Sequence, residues 1–89
     1  MKAVITVIGK DAVGILSKVS TACADASANI IEVTQSVLQD MFAMIMLAEI
    51  DQITVEFDEL VQRLERLGED NHLKIHVMHE DIFNSMHRI

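Results

Sequence analysis

Gly9 and Gly14 bracket four residues, Lys10-Asp11-Ala12-Val13, at the joint between an apolar run and an amphipathic one. Glycine loops that lead from a strand into a helix often hold anions, because the first helical N–H groups are free. The spacing of these two glycines is also that of the phosphate-binding loop. There, Lys and Ser/Thr follow the second glycine, one for the phosphates and one for Mg²⁺. Here Ile15 and Leu16 occupy those positions and Asp11 adds a negative charge, which argues against nucleotide binding. What is left is a helix start whose amides, near Val13 to Leu16, suit a carboxylate, beside an Asp11 that suits an ammonium group. Together they fit a zwitterion such as a free amino acid. A plainer reading stays open and, on the residues alone, stands ahead: Asp11 caps the helix and Gly14 permits close packing.

Other chemistry is weaker. Of the four histidines, His72 and His76 are four residues apart. On a strand that separation is ~13 Å, too far for one metal ion. His79 should point to the opposite face, so a shared metal site would need another strand, His87 or a second subunit. Cys23 lies in an apolar stripe without a neighbouring His or basic residue, as a structural thiol does. Met41, Met44 and Met46 at strand spacing suit a core or a subunit contact. No catalytic triad is legible, so we expect no enzyme, no metal and no cofactor.

Composition narrows the partners. The 89 residues are enough for one domain, 1–89, of which 80–89 read as a tail helix. The formal charge of −7 and the three aromatic residues, all Phe, argue against nucleic acid. No apolar run is long enough to cross a bilayer, and the N-terminus lacks a cleavage pattern. A lone cysteine suits a reducing compartment, so the expected location is cytoplasmic.

The elements that must position the glycine loop follow from periodicity. Residues 2–8 are rich in β-branched side chains and predict a strand. Ile15, Leu16, Val19, Cys23 and Ala26 recur at helical spacing up to Ala28-Asn29. In 29–38, Ile31, Val33, Gln35 and Val37 alternate with Glu32, Thr34 and Ser36, a half-buried strand. Gln39-Asp40 can turn the chain into a third strand, 41–50, apolar on both faces and so central or covered by a second subunit. A second helix should start with Thr54 as N-cap and carry Phe57, Leu60, Val61, Leu64 and Leu67 inward. Glu59 and Arg63 can pair on its outer face, and Gly68 should stop it. Leu73, Ile75 and Val77 alternate with Lys74 and His76 in a last strand. Ile82, Phe83, Met86 and Ile89 predict a short amphipathic helix.

The order β-α-β-β-α-β with right-handed crossovers gives an α+β, ferredoxin-like sandwich. Its four-stranded antiparallel sheet carries two helices on one face, plus the short C-terminal helix. The other sheet face, to which Val4, Thr6, Ile8, Met44 and Met46 are candidate contributors, has no helix in this order. A second copy of the chain is the simplest cover. On such a fold an acylphosphatase would need an Arg in the first loop, a copper carrier two cysteines there, and an RNA-binding sheet aromatic residues. None of these is present.

The stretch "VIGKDAVGILSKVSTACADASANIIEV" resembles the opening of ACT domains: strand, Gly-x-Asp-x-x-Gly-Ile/Leu, helix, then Asn-Ile at the next strand. The tail "DIFNSMHRI" is similar to that of small stand-alone prokaryotic members. The resemblance implies a regulatory module that binds an amino acid or similar carboxylate effector at a homodimer interface. It implies ligand contacts from Asp11, Ala12, Val13, Gly14 and Ile15 of one copy and from Asn29 and Ile30 of the other. Ala12 and Val13 stand where many members carry a basic residue and a proline. It further implies a protein target that reads the dimer. The alternative is a dimerisation or scaffold module that binds no effector. A third reading is a metal-dependent stress protein using the C-terminal histidines.

Overall fold

A computed structural model describes residues 1–10 and 14–86. Its elements run β1 (Lys2–Gly9), α1 (Ile15–Asp25), β2 (Asn29–Leu38), β3 (Met41–Glu49), α2 (Phe57–Asp70), β4 (Lys74–His79) and α3 (Glu80–Met86). The four strands form one antiparallel sheet in the order β2-β3-β1-β4. This is the ferredoxin-like sandwich expected from the element order.

Register decides which side chains meet. Ile5 lies opposite Met46, and Val7 opposite both Met44 and Ile75. These residues join Val19, Cys23, Leu60 and Leu64 in a single core under α1 and α2. Met44 and Met46 are therefore fully buried against the helices. They do not contribute to the opposite face, as the unregistered sequence had allowed. Ala43, Ile45 and Leu47 take that role, beside Thr6 and Ile8. Val4, also on that face, is nevertheless buried, and α3 packs against β1 and β4 at this corner.

Helix α1 buries Ile15, Val19 and Cys23 as its period requires, but Leu16 is 41% exposed, one step off the stripe. Helix α2 has Leu60 and Leu64 fully buried, with Phe57, Val61 and Leu67 packed around them. Glu59 and Arg63 form the expected i,i+4 pair at 2.7 Å. Thr54 is not the N-cap. Its N–H donates to the Ala26 carbonyl at 3.0 Å, and the helix begins three residues later behind Glu56. Gly68 does not stop α2 either. It lies inside the helix, where a β-carbon would come within 2.8 Å of the Leu73 carbonyl. Close packing of α2 on β4 is what requires glycine there.

Strand β2 departs most from expectation. Its side chains alternate between the two faces as predicted, with an irregularity between Ile30 and Glu32. Yet every residue from Ile31 to Leu38 is exposed, Val37 and Leu38 by 69% each. One copy of the chain offers no layer to cover this edge strand.

Candidate functional site

The start of α1 is built around Gly14, which has φ 72°, ψ 1° in the left-handed region. Among the described residues, a β-carbon there would meet nothing closer than Lys18 Cε at 4.0 Å. Gly14 is thus required by its backbone conformation and not by crowding, against the close-packing reading. It occupies the N-cap position, where it has no side chain to cap the helix, and the first turn holds no acidic residue. Its carbonyl accepts the Lys18 N–H at 3.0 Å, the first helical bond. The amides of the first turn therefore have no carbonyl of their own helix to bond. Gly14 is exposed to solvent, whereas Ile15 turns into the core.

Asp11, Ala12 and Val13, the rest of the expected loop contacts, lie outside the described residues. One feature of the site was missed in sequence. Lys18, a turn above Gly14, donates from Nζ to Asn71 Oδ1 at 2.7 Å, and Asn71 Nδ2 donates to the Leu67 carbonyl at 2.8 Å. A cation is thus held beside the helix start by a residue of the α2–β4 turn. The only signal was that Lys18 falls off the apolar stripe, which is equally true of any solvated lysine.

Asn29 and Ile30 are not near this loop in one copy. Asn29 is in register with Glu49, and Glu49 with Lys2, at the opposite end of β1 from Gly9. Seven residues of strand separate Lys2 from Gly9, or ~23 Å. Asn29 is exposed and Ile30 is partly packed on the core. Within one copy the two halves of the expected site therefore stay apart.

The remaining candidates are not assembled into a site. Cys23 is fully buried in the core, and burial pushes its thiol up to about 11. Such a thiol is a poor nucleophile. His72 precedes β4 in a left-handed turn with φ 57°. His76 points away from the helices, whereas His79 faces them, its ring edge against Phe57 at a centroid distance of 6.0 Å. His79 Nδ1 also accepts the Asp81 N–H at 3.2 Å. Among the described residues no three His, Cys, Asp or Glu side chains converge to hold a metal ion. His87 lies outside them.

Comparison with known proteins agrees with this architecture. The sequence model of the ACT domain matches residues 2–78. A UPF0237 protein of Listeria monocytogenes is 48% identical over 89 residues, the whole of both chains. Another, from Methanococcus maripaludis, is 48% identical over 86 residues, 97% of this chain and 96% of its own. The solved structure of an ACT domain protein from Streptococcus pneumoniae superimposes with a TM-score of 0.82 at 36% identity. It covers 93% of each chain. No helix among the described residues is long and apolar enough to cross a membrane.

Proposed function

The chain belongs to the ACT domain family, a family of regulatory modules, and from that premise we propose that it works as a homodimeric sensor of an amino acid or a similar carboxylate. The observation that carries this reading is the bare β2 edge. Its exposed Ile31, Val33, Val37 and Leu38 leave unpaired backbone groups and apolar surface beside each other. Antiparallel pairing of β2 with its copy about the strand centre sets Asn29 of the partner subunit opposite Leu38. Leu38 pairs with Met41, next to the Phe42 that faces Gly9. Helix α1 packs on the β2 side of the sheet and starts at this same end. The partner's Asn29 and Ile30 then approach the uncapped Gly14–Ile15 turn. The ligand carboxylate takes the first-turn amides and Asp11 takes the ammonium group.

In this reading the protein acts by binding and not by turnover. Ligand stabilises one dimer geometry, which a protein target reads. The single buried cysteine fits a reducing, cytoplasmic setting.

Light scattering and a thermal-shift panel of free amino acids and related carboxylates test the proposal. We expect a dimer, and a ligand at 100-fold its Kd should add ~2.7 kcal/mol of stability. A monomer, or a dimer that responds to none of the panel, would sink it, and the latter result is that of a scaffold module. Gly14→Asn keeps a residue tolerant of the left-handed conformation but adds a side chain over the amides. It should abolish the ligand shift while leaving the dimer intact.

A further inference from the structure

We propose a second small-molecule site, for an amphipathic anion, in the hollow between the end of β1, the start of β3 and the α2–β4 turn. This hollow has a volume of ≈ 490 Å³. That falls within the range of small-molecule sites, roughly 300–1,000 Å³. Its apolar part is made by Ile8, Met41 and Leu73, and its rim carries Lys10, His72 and Lys74. None of the described lining residues is acidic. In a chain with 14 Asp and Glu against 7 Lys and Arg, two lysines on a rim with no acidic residue in its described lining are unexpected.

Further observations point to a ligand. Ile8 is 42% exposed and Met41 45% exposed, so apolar surface lies open beside the cations. Lys74 lies directly across from Ile8 in the β1–β4 register, so the two side chains share one face of the sheet beside the hollow. Among the described residues, Lys10, His72 and Lys74 form no ion pair with any carboxylate. The neighbouring cation Lys18 is instead tied to Asn71, which also lines the hollow. His72 itself occupies a left-handed position, φ 57°, where glycine is the ordinary choice after a helix.

The matching ligand has an apolar body resting on Ile8, Met41 and Leu73 and a carboxylate or phosphate gripped by the cationic rim. The described lining includes none of Gly14, Ile15, Asn29 or Ile30. The hollow is therefore distinct from the Gly14–Ile15 and Asn29–Ile30 contacts, although its Met41 pairs with Leu38 at the β2 edge.

Titration of the full chain with sodium octanoate and, separately, phenyl phosphate tests this, followed by amide chemical shifts. 1-Octanol and inorganic phosphate supply the body and the head alone. At least one of the two anions should move the amides of Lys10 and of residues 72–74. Its isolated body or head should bind about tenfold more weakly or worse. Binding of octanoate, of phenyl phosphate or of both supports the site and identifies the head group. The double variant Lys10→Ala/Lys74→Ala, both exposed positions, should lose about tenfold in affinity with its amide spectrum otherwise retained. His72→Gly, which relaxes the backbone, should weaken binding as well. Neither anion moving these amides, octanol binding as tightly as octanoate, or unchanged affinity in the double variant would each overturn the proposal. Octanoate or phenyl phosphate binding must persist in Gly14→Asn, which separates this site from the one at the dimer interface.

Discussion

Gly68 and Cys23 show how much depends on single atoms in a core this small. A β-carbon at Gly68 would press on the Leu73 carbonyl and approach Ile75 Cγ1 to 3.0 Å. Neither is the loose end of a flexible side chain. The helix-propensity gain of alanine, ~1 kcal/mol, works against that clash. We expect Gly68→Ala to destabilise the protein by about 1–2 kcal/mol net in urea denaturation, with α2 displaced from β4. Cys23 makes a pH prediction. Burial raises its thiol from 9.0 to about 11 in the folded chain. Below pH 9 both folded and unfolded chains hold the proton and the favourable contribution is complete. Between pH 9 and 11 the unfolded chain ionises first, so stability falls as pH rises. The loss is on the order of 2 kcal/mol. Denaturation curves of the wild type and Cys23→Ala at pH 8 and pH 11 isolate it, because the variant lacks this slope. At pH 8 the native thiol should also react with a disulfide reagent only after unfolding.

At the scale of elements, α2 separates what packing does from what charge does. Leu64 is fully buried between the sheet and α1, whereas the Glu59–Arg63 pair is about half exposed on both sides. Leu64→Ala should cost about 2–5 kcal/mol. Arg63→Ala should cost less than about 0.5 kcal/mol, because water screens the pair. Both are read from the same chemical denaturation experiment. The periodicity of α2 made its inward face legible in sequence, since Leu60 and Leu64 repeat with the helix itself. Its start was not legible. Thr54 carries a capping side chain, but its backbone N–H is engaged by Ala26, a residue 28 positions earlier in the chain. Thr54 thus sits in a long-range contact that no local signal shows.

For the whole molecule, the consequential feature is an apolar edge that one copy leaves bare. Val33 and Val37 point to the helix side of the sheet but reach past the helices. Val37 is 69% and Val33 38% exposed, so their replacement costs a single copy less than a core substitution. Val33→Lys/Val37→Lys should therefore leave the fold and the midpoint of a dilute sample nearly unchanged. In light scattering it should convert a dimer to a monomer and remove any amino-acid response. A double variant that stays dimeric would place the interface elsewhere. The same scale separates the two halves of the expected site, Gly14–Ile15 and Asn29–Ile30, within one copy. The β1–β3–β2 register holds them at opposite ends of the sheet.

The amino-acid sequence alone determined the order of elements, the inward faces of α1, α2 and β4, and the sandwich they form. These follow from local periodicity and from the handedness of crossovers, which act within a few residues or within one β-α-β unit. The helix start after Gly14 and the strand start at Asn29 were legible in the same way, as local motifs. Tertiary structure alone decided that Met44 and Met46 face the helices, because register is a property of two strands together. It also decided that Gly68 is a packing contact and that β2 lies bare. Finally, it drew Lys10, His72 and Lys74 from two distant segments to one rim. Such proximities depend on how separate elements meet, and no spacing along the chain encodes them.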